Sequence, residues 1–389
     1  MGMTAKILVV DDEPDLELLI RQRFRKQIRS GEYTFAFARN GEEALQELKK
    51  DDGFEVMLTD LNMPVMDGLV LLDNVGRLNS RPQPVVVSAY GDLPKIRAAM
   101  NRGAFDFLTK PIDFQDLETT VRKALEQVRL LKESSRAQQQ VAAFQHELTL
   151  AHSIQQSILP QVFPDVPGAD LNARMIPART VGGDFYDFFF LRDGRLGVVI
   201  GDVSGKGVSA AMFMALCRSL LRSVASQGLP PGEALLETNR LICEDNRTDL
   251  FVTLFYGILD LDTGRFDFAD GGHNPPYLFS LDGRVVPLPT DGAQGTVVGV
   301  VPEGSYTTAS TQLRPGDGLL LYTDGITEAR DREDRMYSER GLEAFLRRTH
   351  ADSAAAIVAG LLDDVGEFAQ GAPQADDLTA LALRYTGKA

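Results

Sequence analysis

Cysteine, histidine and long apolar runs are scarce in this chain, and each shortage excludes a class of function. Among 389 residues there are two cysteines, Cys217 and Cys243, and four histidines, His146, His152, His273 and His350. Two cysteines build no disulfide framework, and neither has a second cysteine at metal-site spacing. The sixth positions after them, where a cysteine phosphatase carries its arginine, hold Ser223 and Asp249. Both thiols are therefore expected to be buried. The scattered histidines argue against zinc. No apolar run reaches the roughly 20 residues of a membrane span, and MGMTAKILVV enters a strand without a signal-peptide pattern. A cytoplasmic protein with no membrane contact is expected.

Negative charge, by contrast, is plentiful. The formal net charge is −15, and residues 161–389 alone hold 32 acidic against 20 basic residues. Such a surface repels nucleic acid, and it repels a phosphorylated substrate unless cations neutralise the site. Many aspartates and few histidines favour a hard, oxygen-bound metal, Mg²⁺ or Mn²⁺. The length suggests two or three domains.

In the first 112 residues, KILVV, YTFAFA, EVMLT, PVVVS and FDFLT read as strands. The segments PDLELLIRQRFRKQI, GEEALQELKK, LVLLDNVGRL and DLPKIRAAMNRG between them read as helices. That alternation predicts an α/β doubly wound five-stranded parallel sheet, with its site at the carboxyl ends of the strands. Those ends carry Asp11 and Asp12, Asp60, Ser88 and Lys110. Converging carboxylates call for a divalent cation, and a nearby lysine and hydroxyl suit an acyl phosphate.

The motifs VVDDEP, LTDLNMPVMDG, VVVSAYGD and FLTKPI resemble the response-regulator receiver domain. The resemblance implies Asp60 as phosphoacceptor, with Mg²⁺ held by Asp12, Asp60 and the Asn62 carbonyl, and with Asp11 assisting through water. It also implies that Ser88 and Lys110 contact the phosphoryl group, with Phe107 as the switch aromatic and Tyr90 in a related role. A sensor histidine kinase or phosphotransfer protein would lie upstream.

Residues 113–160 contain no glycine and no strand pattern. Apolar residues run heptad-like through Leu117, Val121, Ala124, Val128 and Leu131, fail through KESSRAQQQ, and resume at Val141, Phe144, Leu148, Ala151 and Ile158. The step from Leu131 to Val141 is a heptad plus three, the spacing of a stammer. A helical connector pairing in a homodimer is expected, the alternative being that each half packs on its own domain.

Residues 161–389 change pattern to strands such as GRLGVVIGDV, FVTLFYGILD and GDGLLLYTDG, with helices at VSAAMFMALCRSLLRSVA and GEALLETNRLIC. An α+β layered sandwich is expected. GDVSGKG, Gly201–Gly207, lacks the spacing and terminal hydroxyl of a phosphate-binding P-loop and carries Asp202 at a strand end instead. Asp184, Asp324 and Asp376–Asp377 stand at comparable places. Separated carboxylates without a histidine base suit a two-metal centre, where bound water's pKa falls from 15.7 to about 7. His273 is expected to be buried and satisfied by backbone, and Met212, Met214 and Leu216 to be core.

RTVGGDFYD, GDVSGKG, GGHNPP, LYTDGITEAR and DDLTAL resemble the metal-dependent, protein phosphatase 2C-like serine/threonine phosphatases of the stage II sporulation E type. The resemblance implies two Mn²⁺ or Mg²⁺ ions. Asp202 would bridge them, the Val203 carbonyl would add a ligand, Asp324 and Asp376 would bind the second ion, and Asp184 would support a metal or its waters. Asp376 is favoured over Asp377, and Arg179 is a candidate for substrate phosphate. The substrate implied is a phosphorylated anti-sigma factor antagonist. The rival is a non-catalytic sigma-factor adaptor or scaffold of the same architecture.

Overall fold

The computed structural model describes residues 4–387 apart from 79, 90, 91 and 291, and not the side chain at 245. Tyr90 lies outside the described residues. The chain divides into two compact units, Met1–Ala143 and Phe144–Ala389.

The first unit runs β1 (Ala5–Val10), α1 (Pro14–Arg23), α2 (Arg25–Ser30), β2 (Tyr33–Ala38), α3 (Gly41–Lys50), β3 (Phe54–Asp60), α4 (Gly68–Val75), β4 (Gln83–Ala89), α5 (Leu93–Asn101) and β5 (Asp106–Lys110). The strands form one parallel sheet in the order β2-β1-β3-β4-β5. Helices cover both faces, which is why the strands read as unbroken apolar runs. Ile7, Val9, Val56, Leu58 and Val87 pack with Leu16 and Ile20 of α1, whereas Leu8, Val10, Met57 and Val86 pack with Ala44, Leu71 and Ile96 on the other side. The single helix expected over 14–28 breaks at Phe24 (φ −91°, ψ 18°). That break buries the Phe24 ring against Tyr33 and Phe35, at centroid distances of 5.8 and 5.3 Å.

One uninterrupted helix, α6 (Phe114–Ile158), follows and continues into the second unit. Leu117, Val121, Ala124 and Val128 are buried in the first unit, while Leu131, Val141 and Phe144 are more than half exposed. Polarity through KESSRAQQQ does not end the helix, because Lys, Glu, Arg, Ala and Gln are all good helix formers.

The second unit continues with β6 (Ala169–Ile176), β7 (Phe185–Phe190), β8 (Leu196–Val203), α7 (Val208–Ala225), α8 (Pro231–Asp245), β9 (Val252–Leu259), β10 (Arg265–Gly271), β11 (Tyr277–Phe279), β12 (Val285–Pro287), β13 (Ala309–Gln312), β14 (Gly318–Tyr322), α9 (Asp324–Thr327), α10 (Ser338–Thr349), α11 (Ala354–Ala369) and β15 (Leu378–Tyr385). Two antiparallel sheets, β13-β10-β9-β8-β7 and β12-β11-β14-β15-β6, pack face to face. Strand alternation divides the side chains between layers. Leu319, Leu321, Leu381 and Leu383 enter the core between the sheets, and Leu320, Tyr322, Ala380 and Ala382 meet α10 and α11 outside. The expected layered sandwich is observed, with α10 and α11 as helices that the sequence reading did not name.

Helix α7 corrects one expectation. Met214 is fully buried, but Met212 is 70% and Leu216 44% exposed. Met212 and Leu216 are four residues apart and share a face turned away from the sheet, as helical period requires. Among the described residues α7 is the one helix long and apolar enough to cross a membrane. Its Phe213, Cys217, Leu221 and Val224 are instead buried in the core between sheet and helix.

Candidate functional sites

In the first unit the strand ends bring Asp11, Asp12 and Asp60 together, with one carboxylate oxygen from each lying within 4.8 Å of the others. Lys110 Nζ donates to Asp60 Oδ2 at 2.6 Å and lies 3.0 Å from Asp11 Oδ2. Burial pushes the Asp11 carboxyl up, against hydrogen bonds from the Glu13 amide and Lys110. Burial works to lower the Lys110 ammonium, but bonds to Asp60 and Asp11 outweigh it and raise it. The Asn62 amide donates to Asp60 Oδ1 at 3.1 Å. Ser88 Oγ, one strand over from Asp60, is buried with no hydrogen-bond partner. Phe107 is 40% exposed.

In the second unit Asp184 precedes β7, Asp202 is the penultimate residue of β8, Asp324 opens α9 after β14, and Asp376 lies two residues before β15. The antiparallel pairing β7–β8 sets Asp184 and Asp202 at neighbouring strand ends, β14–β15 does the same for Asp324 and Asp376 in the other sheet, and the charges of Asp324 and Asp376 reach Asp202. Burial lifts Asp202 to about 7, with the Asp324 and Asp376 charges adding and a hydrogen bond with Asp184 opposing. Burial, then the Asp202 and Asp377 charges, raises Asp184 well above the carboxylate range, although the Thr323 and Thr379 hydroxyls donate to its Oδ2 at 2.7 and 2.6 Å. Asp324 is raised by burial, then by Glu328 and Asp376.

The two aspartates of DDLTAL do different work. Asp377 is buried and accepts from three backbone amides, Ala178 at 2.8 Å, Gly183 at 2.6 Å and Asp184 at 3.3 Å. Its carboxylate passes so close to Gly182 that a Cβ there would stand 2.3 Å from Oδ2. Asp376 is partly exposed and pairs with Lys206 Nζ at 2.7 Å. Its Oδ1 accepts only from the neighbouring Asp377 amide, at 2.9 Å, so Asp376 is the one of the pair whose carboxylate still faces partly to solvent.

Within β8 the Val203 carbonyl faces Gly183, where a Cβ would stand 2.9 Å from its oxygen. Arg179 reaches the same turn, its Nη1 being 3.9 Å from the Cβ position of Gly207. His273 is buried, its Nδ1 2.8 Å from Thr253 Oγ1 and its Nε2 3.1 Å from the Tyr322 carbonyl. Burial holds it at about 4, so it is a neutral staple and not a proton donor, as expected. Cys217 is buried and Cys243 partly so.

An all-carboxylate donor set that is buried and mutually repelled fits hard divalent cations. Among the described residues, however, the Asp11, Asp12 and Asp60 group alone brings three such oxygens within 4.8 Å. In the second unit Asp376 is paired with Lys206, whose ammonium also donates to the Ala375 carbonyl.

With this geometry in view, comparison with known proteins is decisive for the family. The family model for Stage II sporulation protein E (SpoIIE) matches residues 192–386, half of the chain. The chain belongs to the SpoIIE family. Its first unit matches the response regulator receiver domain over residues 7–122. The chain is 31% identical over 264 residues to Protein IcfG of Synechocystis sp., covering 61% of this chain and 41% of that protein. It is 28% identical over 239 residues to the phosphoserine phosphatase RsbU of Bacillus subtilis, covering 61% of this chain and 70% of the relative. The chain thus spans less than half of the first relative's length. The solved SiaA-PP2C domain of Pseudomonas aeruginosa shares the fold at 22% identity and a TM-score of 0.55, covering 64% of this chain and 98% of that one.

Sequence reasoning on this SpoIIE-family chain missed Thr323, Thr379 and Gln155. Both threonines sit inside motifs already singled out, YTDG and DDLT, next to the aspartates. Gln155 lies near the end of α6 and is buried. Its Nε2 donates to the Gly182 carbonyl at 2.6 Å, and its Oε1 accepts from the Gly182 amide at 3.1 Å. The end of the connector helix is thereby bonded to the backbone two residues before Asp184.

Proposed function

We propose that the chain is a two-component response regulator whose output is a metal-dependent phosphoserine/phosphothreonine protein phosphatase controlled by phosphorylation of Asp60. The observation that carries the reading is the gathering of Asp184, Asp202, Asp324 and Asp376 at adjoining strand ends, with Asp202 lifted to about 7 by burial and like charge. A pure binding module has no need to collect repelling carboxylates. Asp202, the Val203 carbonyl, Asp324 and Asp376 would hold two Mn²⁺ or Mg²⁺ ions, with Asp184 supporting a metal or its waters. Bound, such ions supply an activated water and screening of phosphoryl charge. In the receiver, Asp11, Asp12, Asp60 and the Asn62 carbonyl would hold Mg²⁺, with Ser88 and Lys110 on the phosphoryl group and Phe107 as the switch aromatic.

The proposed layout is receiver at 1–112, connector at 113–160 and phosphatase at 161–389. The bond between Gln155 and Gly182 supports control through the connector, since moving α6 would move the loop that carries Asp184. The exposed Leu131, Val141 and Phe144 support a homodimer through that helix. A cytoplasmic sensor kinase or phosphotransfer protein upstream fits the receiver. A phosphorylated anti-sigma factor antagonist fits as substrate, RsbU being named a phosphoserine phosphatase.

The test is hydrolysis of para-nitrophenyl phosphate by the purified full chain as Mn²⁺ is added, with Asp60 phosphorylated or not. Turnover that requires Mn²⁺, vanishes in Asp202→Ala and differs between the two receiver states is expected. Equal turnover in both states would refute receiver control. No turnover in either state would favour the adaptor reading.

A further inference from the structure

Lys206 sits between Gly205 and Gly207, whose φ values of 87° and 85° give the turn after β8 a course that side-chain-bearing residues rarely follow. The course carries the lysine away from its own strand to the loop before β15. There Nζ lies 2.7 Å from Asp376 Oδ2 and donates to the Ala375 carbonyl at 2.5 Å. Both side chains are partly exposed, 39% for Lys206 and 38% for Asp376. The ammonium therefore occupies a carboxylate at the partly exposed edge of the four, whose other oxygen accepts from the Asp377 amide at 2.9 Å. Beside it opens a cavity of about 290 Å³, lined among others by Lys206, Asp376, Glu328 and Arg330.

The consequence is competition. An ammonium and a divalent cation cannot share one carboxylate oxygen, and their repulsion is strong at such separations. While Lys206 holds Asp376, the carboxylate is neutralised by an ammonium that the Ala375 carbonyl also anchors. When a cation takes Asp376, the lysine must leave, and its flexible four-carbon stem can swing into the cavity alongside.

We infer that Lys206 is a built-in competitor for the second cation, pairing with Asp376 when that ion is absent and moving into the neighbouring cavity when it binds. The inference rests on the two-cation reading above and adds a residue that sets the affinity of one site without ligating either ion. It raises the free Mn²⁺ needed to fill the second position.

Calorimetric Mn²⁺ titration of the full chain tests this, in an Asp12→Ala background that removes the receiver's cation site from the count. Wild type at 206, Lys206→Met and Lys206→Arg are compared. Loss of an exposed ion pair worth up to about 1 kcal/mol corresponds to about a fivefold change in affinity. In Lys206→Met the weaker of the two ions is expected to bind about fivefold tighter and the tighter ion to be unchanged. Lys206→Arg should match wild type, which a merely structural role of the lysine would not require. Two ions removed by Asp202→Ala, with affinities indifferent to Lys206→Met, would overturn this inference alone. Absence of any Asp202-dependent binding in all variants would overturn the two-cation reading and this inference with it.

Discussion

Acid should unfasten the second unit at His273, and the size of the effect follows from the structure. His273 is 5% exposed and joins Thr253, the partner of Asp202 on β9, to the Tyr322 carbonyl at the end of β14, two residues before Asp324. Burial lowers its pKa from 6.5 to about 4. Between those values the unfolded chain binds more protons than the folded one, so stability rises with pH across that window. The contribution is whole above pH 6.5 and is lost as pH falls through 4. At 1.36 kcal/mol per pKa unit the loss is about 3 kcal/mol. Asp270, raised to about 6 by burial, and Asp202, raised to about 7, act in the opposite sense because the folded state holds their protons.

The difference between wild type and His273→Gln isolates the imidazole, since the carboxylates are common to both. Urea unfolding of the metal-free full chain, followed by far-ultraviolet circular dichroism, would be run in steps from pH 7.5 to 4. The advantage of wild type over His273→Gln should shrink by about 3 kcal/mol across the range. An advantage that stays constant to within about 0.5 kcal/mol would refute the buried neutral staple.

Gln155→Leu strands the buried amide and carbonyl of Gly182, so at about 1–3 kcal/mol per unpaired group the second unit should lose roughly 2–6 kcal/mol in urea; a loss below about 0.5 kcal/mol contradicts the bond. Asp377→Ala should cost about 3 kcal/mol without metal, because three backbone amides lose their acceptor, whereas Asp376→Ala should leave metal-free stability nearly intact and remove one Mn²⁺ in calorimetry. Asp187→Ala leaves Arg218, 12% exposed, without its partner at 3.0 Å, and thermal unfolding should report a loss of about 3–5 kcal/mol.

Local pattern determined most of the architecture. Unbroken apolar runs between helices specify a parallel sheet covered on both faces, and period-two strands specify layers, because each rule depends only on neighbours along the chain. The aspartates at strand ends were legible for the same reason, since a strand's end is marked by where its apolar run stops. What the tertiary structure alone decided lies between residues far apart in sequence. Asp376 and Asp377 are adjacent and chemically identical, and only the amides of Ala178, Gly183 and Asp184 separate the buried anchor from the partly exposed carboxylate that pairs with Lys206. Gln155 became part of the site through Gly182, 27 residues away, and Lys206 through Asp376, 170 residues away. Met212 and Met214 share a composition but not a fate, because the sheet beneath α7 chooses which face is buried. Sequence sets which residues are available at each strand end and helix face. Which of them meet is set by chain closure in three dimensions, where a hydrogen bond or ion pair depends on distance and not on separation along the chain.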